Sequence, residues 1–177
     1  MSLLRFLGLE RGGEARAEGD TQTVRRIVRE LEALEPMRAR YVAAFAFLLG
    51  RVAYADQQIS DVETRAMEKI VTAYGGLPEA QTVLVVQIAK AQATLFGGTE
   101  NFLVTREFGK LSTPAEREEL LHCLFAVSAA YDSVSSVEEE QIREIASELG
   151  LSHAEYLAVR SAYSEKRAVL RNLPGGA

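Results

Sequence analysis

The sequence predicts an all-α fold: one compact multi-helix domain of about seven to eight helices, with a helix–acidic turn–helix unit that occurs twice. Three observations predict it. Apolar residues recur at helical spacing in one segment after another. Proline, glycine and Ser/Thr-x-x-Glu punctuation falls between those segments. No segment alternates convincingly at period two.

Taken in order, Met1-Ser-Leu-Leu-Arg-Phe-Leu-Gly-Leu9 carries one arginine among apolar residues. It lacks the long apolar region and cleavage site of a secretory signal. It reads as a short docked helix or a frayed tail, and the alternative is a weak contact with a membrane surface. Arg11 to Asp20, rich in Gly, Glu and Arg, reads as a flexible linker, so residues 1–20 stand apart from a helical domain over 21–172. Thr21 to Leu34 puts Val24, Ile27, Val28, Leu31 and Leu34 on one face. Pro36 stops that helix or begins the next, which runs to about Ala55. Ser60 opens another, ending at Gly75-Gly76. Pro78 suits the first turn of a helix that ends at Gly97-Gly98. A shorter segment follows from Phe102 to Leu111. Thr113-Pro114 opens a long helix to Tyr131, Ser135 or Ser136 opens one ending at Gly150, and Ser152 opens the last, towards Leu170. Residues 173–177 read as a disordered tail.

Composition narrows the function. The 177 residues carry a net charge of −5, so no basic excess exists to neutralise phosphates, and nucleic acid is disfavoured as a partner. The single cysteine, Cys123, allows no internal disulfide and no Cys-rich metal site, which fits a reducing cytoplasm. The longest apolar run, Tyr41 to Leu49, breaks at Arg51 and is too short to span a bilayer.

The duplication is visible in the residues. Phe45–Asp56 (FAFLLGRVAYAD) lies over Leu121–Asp132 (LHCLFAVSAAYD), so that Leu48 falls on Leu124, Gly50 on Ala126, Ala53 on Ala129 and Asp56 on Asp132. Beyond the turn, Glu63, Met67 and Ile70 share their spacing with Glu138, Ile142 and Ile145. The second turn is one residue shorter. The first copy ends in Gly75-Gly76-Leu77 and the second in Gly150-Leu151. The repeat units span about residues 37–97 and 113–170, and each is expected to bury its apolar face against the other, with approximate two-fold symmetry.

The acidic turns invite a test for calcium. Asp56-Gln-Gln-Ile-Ser-Asp-Val-Glu63 resembles the last eight positions of an EF-hand loop, with Glu63 as the bidentate ligand. The first and third ligands would be Val52 and Tyr54, and the turn glycine would be Gln57. Ser128 and Ala130 do no better in the second copy, so an EF-hand is rejected. Two readings stay open. Asp56, Asp61 and Glu63, with Asp132, Glu138 and Glu139, can converge on a hard cation, Ca²⁺ or Mg²⁺ ahead of Zn²⁺; Glu140 adds charge nearby. Alternatively, Ser60-x-x-Glu63, Ser135-x-x-Glu138 and Ser136-x-x-Glu139 are capping boxes, like Thr113-x-x-Glu116 and Ser152-x-x-Glu155, where no metal is suspected.

Catalytic constellations are missing. His122 and Cys123 are adjacent, which turns them roughly 100° apart on a helix and out of mutual reach. Cys123 reads as a small core residue. No phosphate-cradling loop, HExxH or nucleophile elbow occurs. The stripe Val83, Leu84, Val86, Ile88, Ala91 and Leu95 reads as core or, if exposed, as a groove for a partner helix. The chain is therefore read as non-enzymatic.

An apolar helix ending in Ala-Asp, a short turn with an aliphatic residue, then E-xxx-hydrophobic-xx-Ile and Gly-Leu, all twice, resembles the TerB-like tellurite-resistance domains. The stretches that carry the resemblance are Val52-Ala-Tyr-Ala-Asp-Gln-Gln-Ile-Ser-Asp-Val-Glu63, Ala129-Ala-Tyr-Asp-Ser-Val-Ser-Ser-Val-Glu138 and Ile142-Arg-Glu-Ile-Ala-Ser-Glu-Leu-Gly-Leu-Ser-His-Ala-Glu-Tyr156, within about Met37 to Arg167. The family pattern has Ala-Asp-Gly at each turn. Here Gln57 and Ser133 replace the glycines, and Tyr131 replaces the second alanine. The resemblance implies an internally duplicated helical fold, a role in metal or chemical-stress response, and acidic positions that bind cations. A similar module occurs in some J-domain co-chaperones, but this sequence has no His-Pro-Asp motif. The function expected is that of a cytoplasmic TerB-like domain, at the inner face of the membrane if its N-terminus makes contact there. The alternative is a protein–protein interaction or scaffold module with purely structural acidic turns. Either reading includes a protein partner.

Overall fold

The computed structural model describes residues 18–53, 61–92, 101–130 and 134–171. Eight helices lie within them: α1 (Glu18–Glu32), α2 (Pro36–Ala53), α3 (Asp61–Tyr74), α4 (Glu79–Gln92), α5 (Asn101–Leu111), α6 (Pro114–Ala130), α7 (Ser136–Glu148) and α8 (His153–Arg171). No strand occurs among the described residues, so the all-α expectation holds. The N-terminal apolar segment, the tail at 173–177, Leu95 and the Gly97-Gly98 stop lie outside the described residues. α1 starts at Glu18, three residues ahead of the expected Thr21, because the last residues of the Gly-rich stretch join its first turn.

Two helices form the centre, one from each repeat. In α2 every residue from Tyr41 to Gly50 is buried. A helix apolar on all sides has to be surrounded. α2 is surrounded by α1, α4, α5, α6 and α7. α6 buries Leu120, Leu121 and Cys123 through Ser128, and packs against α2, α3, α7 and α8. Each large apolar side chain removed from water contributes roughly 1.5–3 kcal/mol. Phe45, Leu48, Leu49, Leu120, Leu121 and Leu124 are all buried to that degree, so α2 and α6 dominate the core.

The helices of the two units are interleaved. The second helix of each unit lies on the first helix of the other: α3 on α6, and α7 on α2. The third helix of each lies on the first of its own, α4 on α2 and α8 on α6. Aromatic rings fill both halves of the core, at positions that the repeat does not share. Tyr41 and Phe45 meet Phe108, with Tyr41–Phe108 centroids 5.1 Å apart. Phe125 sits 5.8 Å from both Tyr156 and Tyr163. The stripe on α4 is core: Leu84, Val86 and Ile88 are buried, with Val83 and Ala91 half-buried.

Helix ends follow the punctuation. Gly76 (φ 60°) and Gly150 (φ 76°) take the left-handed conformation that ends α3 and α7. At Gly150 the amide of Leu151 donates to the Ala146 carbonyl at 3.0 Å, closing the turn. Glu35 adds a cap with no box pattern to announce it. Its carboxylate accepts from the amides of Met37 (3.1 Å) and Arg38 (3.2 Å) at the start of α2.

Candidate functional site

The acidic turns lie between α2 and α3 and between α6 and α7. Asp56 and Asp132 fall outside the described residues. Asp61 and Glu63 belong to the first turn of α3, and their side chains are likewise outside the described set.

The helices that bracket the turns fix where the turns leave the bundle. Just past the end of α3, Gly76 lies against Glu119 of α6, so close that a Cβ there would come 2.6 Å from Glu119 Oε2. The end of α7 meets the same part of α6: Arg117 donates to the Leu149 carbonyl at 3.2 Å. α3 and α7 both pack along α6, with their C-terminal ends at its start. Both therefore begin towards the far end of α6, where Ala130 closes it. The exit of the first turn, at Asp61, and both edges of the second, at Ala130 and Ser135, share one end of the bundle. Tyr41, near the start of α2, sits at the opposite end with Glu116 and Glu119. Burial pushes its phenol well above the ordinary range, Glu116 adds to this, Arg38 opposes it and Glu119 contributes less.

Glu138 and Glu139 have defined partners. Ser135 and Glu138 form a reciprocal capping box: the Glu138 amide donates to Ser135 Oγ (3.2 Å), and the Ser135 amide donates to Glu138 Oε2 (2.8 Å). Ser136 is already inside α7, so of the two overlapping boxes in the sequence only the one starting at Ser135 forms. Glu139 Oε1 instead accepts from Arg160 Nε of α8 at 2.7 Å. Each carboxylate thus has one oxygen committed. For a hard cation the uncommitted oxygen of each is the one open as a donor. Among the described residues, no three His, Cys, Asp or Glu side chains gather into a group that could hold a metal ion.

Tyr156 lies beneath this pair of helices. It is 4% exposed, and its hydroxyl is buried without a hydrogen-bond partner among the described residues. Burial raises its pKa, Glu139 raises it further, and Arg160 and Arg143 oppose. In the sequence Tyr156 stands out only as the end of the Ile142–Tyr156 stretch; its helical spacing from Val159 and Tyr163 is the one signal of its burial.

The other chemical candidates sort plainly. Cys123 is fully buried, and desolvation pushes its thiol up to about 12, which makes it inert as a nucleophile. His122 Nδ1 lies 3.3 Å from the Tyr163 hydroxyl, and its Nε2 is 3.9 Å from Glu118. His153 stacks on Tyr156, with centroids 6.2 Å apart. A groove of about 620 Å³ runs between α7 and α8, lined by Arg143, Glu144, Ser147, Glu148, His153 and Tyr156 among others. Its carboxylates Glu144 and Glu148 are engaged by Arg51 of α2 at 2.8 Å and 3.1 Å. Arg51 also donates to Gln141 at 2.8 Å.

Set beside known proteins, the chain matches the family model described as tellurite resistance protein TerB over residues 42–161. The chain belongs to the TerB family. The match begins inside α2 and ends inside α8, so it takes in both acidic turns and both central helices. No curated protein and no solved structure matches the chain. No helix among the described residues is long and apolar enough to cross a membrane.

Proposed function

We propose that this TerB-family chain is a non-enzymatic helical module whose acidic turns take a divalent cation in the cell's response to tellurite, metal or chemical stress. The observation that carries this reading is the exit of both turns from one end of a bundle whose family membership is shown. Asp56, Asp61 and Glu63 of the first turn, with Asp132, Glu138 and Glu139 of the second, supply hard oxygen donors. They favour Ca²⁺ or Mg²⁺ over Zn²⁺. The setting that fits is the cytoplasm, at the inner face of the membrane where the apolar N-terminal segment touches it, with a protein as partner and no nucleic acid. Titration calorimetry of the full chain with Ca²⁺, Mg²⁺ and Zn²⁺ tests the cation. Binding should raise the melting temperature in proportion to the logarithm of metal concentration, and Asp56→Asn with Asp132→Asn should abolish it. Absence of heat and of any thermal shift at millimolar metal sinks the proposal.

A second reading is favoured by the partners of Glu138 and Glu139, one a cap and the other an ion pair. In it the turns are structural and the domain is an interaction or scaffold module. Capture of a protein partner that survives Asp56→Asn and Asp132→Asn supports this reading over the first.

A further inference from the structure

The two units are alike enough that each could pair with its own kind in a second copy of the chain. The internal arrangement lays α7 on α2 and α3 on α6. Where the internal pairing opens, a second copy would offer its α3 to α2, or its α7 to α6. Something has to tell the two alternatives apart.

Arg51 is placed to do so. Its side chain is only 7% exposed, and it reaches three residues on one face of α7: Gln141, Glu144 and Glu148. In the repeat alignment Arg51 falls on Val127, which is buried at 2% exposure. Glu144 falls on Lys69 and Glu148 on Ala73. The internal pairing therefore sets a cation against two anions in one half and an apolar residue at the equivalent place in the other.

We infer that Arg51 and its α7 partners discriminate between units, and so prevent like-with-like pairing of two copies of this chain. With α3 of a second copy on α2, Lys69 would stand where Glu144 stands, setting a second cation against the nearly buried guanidinium of Arg51. With α7 of a second copy on α6, Glu144 and Glu148 would face Val127 and lose the guanidinium. Both wrong pairings carry an unpaired charge.

The test is sedimentation of the full chain across a concentration series. Lys69→Glu with Glu144→Lys exchanges the two charges at exposed positions. Self-association should strengthen by about tenfold or more, since a like-charge penalty is removed from the wrong pairing and placed in the right one. Unchanged association with native helix content overturns the inference, because charges that only stabilise the fold would change stability without altering assembly. Should that pair lose its helical circular dichroism, Lys69→Glu alone decides. It should raise self-association by about threefold, on the scale of one partly exposed ion pair. No rise overturns the inference.

Discussion

Arg51 Nη2 lies 2.8 Å from Glu144 Oε2, although the two residues are 93 positions apart and belong to different repeat units. The guanidinium end of this pair is nearly buried and the carboxylate is half exposed. Removing one partner of a buried pair costs about 3–5 kcal/mol, and the exposure of Glu144 argues for the lower end. Arg51→Ala should therefore lose about 3 kcal/mol in urea unfolding. A loss below about 1 kcal/mol would assign the pair to the solvated class.

The capping boxes predict a contrast between neighbouring serines. Ser135 caps α7, and Ser136 is exposed inside it. Ser135→Ala should cost about 1 kcal/mol, and Ser136→Ala should change stability by less than half of that. Ser152 caps α8 by the same geometry, its amide donating to Glu155 at 2.7 Å, so Ser152→Ala should match Ser135→Ala. Thermal unfolding of the three variants checks the order; equal effects at Ser135 and Ser136 would reject it.

The adjacent glycines that end α3 should differ in what they tolerate. A Cβ at Gly75 would lie 2.6 Å from the Val71 carbonyl oxygen and 3.2 Å from Phe45 Cζ. Backbone and a core ring cannot both give way. At Gly76 the close atom is the end of the Glu119 side chain, which can swing aside, leaving the left-handed φ as the cost. Gly76→Ala should cost about 1–2 kcal/mol, and Gly75→Ala should cost more. Gly150→Ala, with nothing within 4 Å of its Cβ, sets the baseline for the conformation alone.

Cys123 predicts a loss of stability in alkali. Burial raises its thiol from 9.0 to about 12. The folded chain keeps the proton that the unfolded chain releases, so the stabilisation is whole below pH 9 and is lost as pH rises from 9 towards 12. One such group gives a slope of at most about 1.4 kcal/mol per pH unit. Tyr41 and Tyr163, also raised by burial, act in the same direction. Unfolding midpoints measured from pH 7.5 to 10.5 should fall more steeply in the parent than in Cys123→Ala. Parallel curves would mean the thiol is not held neutral.

The fold was legible because its signals are local. Apolar spacing along Thr21–Leu34, the Gly75-Gly76 and Gly150 stops, and the Ser-x-x-Glu boxes can each be read within fourteen residues or fewer. The duplication was legible because both copies keep the same Leu, Ala and Asp positions. Arg51 was read only as the end of an apolar run, since its partners lie 54 to 97 residues away and nothing near it announces them. Glu139 illustrates the same limit. Two overlapping boxes fit the sequence equally well, and only Arg160, on another helix, settles what Glu139 does.

Arg117 donates to the Gly109 carbonyl in the last turn of α5, to the Ser112 carbonyl just past it, and to the carbonyl of Leu149, which caps the end of α7. Terminal carbonyls of a helix ordinarily face water and open first. Here one guanidinium from a third helix closes two such ends. Amide exchange in α5 and α7 should accordingly slow at Ser112 and Leu149, where fraying would otherwise start, and both ends should be released together when Arg117 lets go.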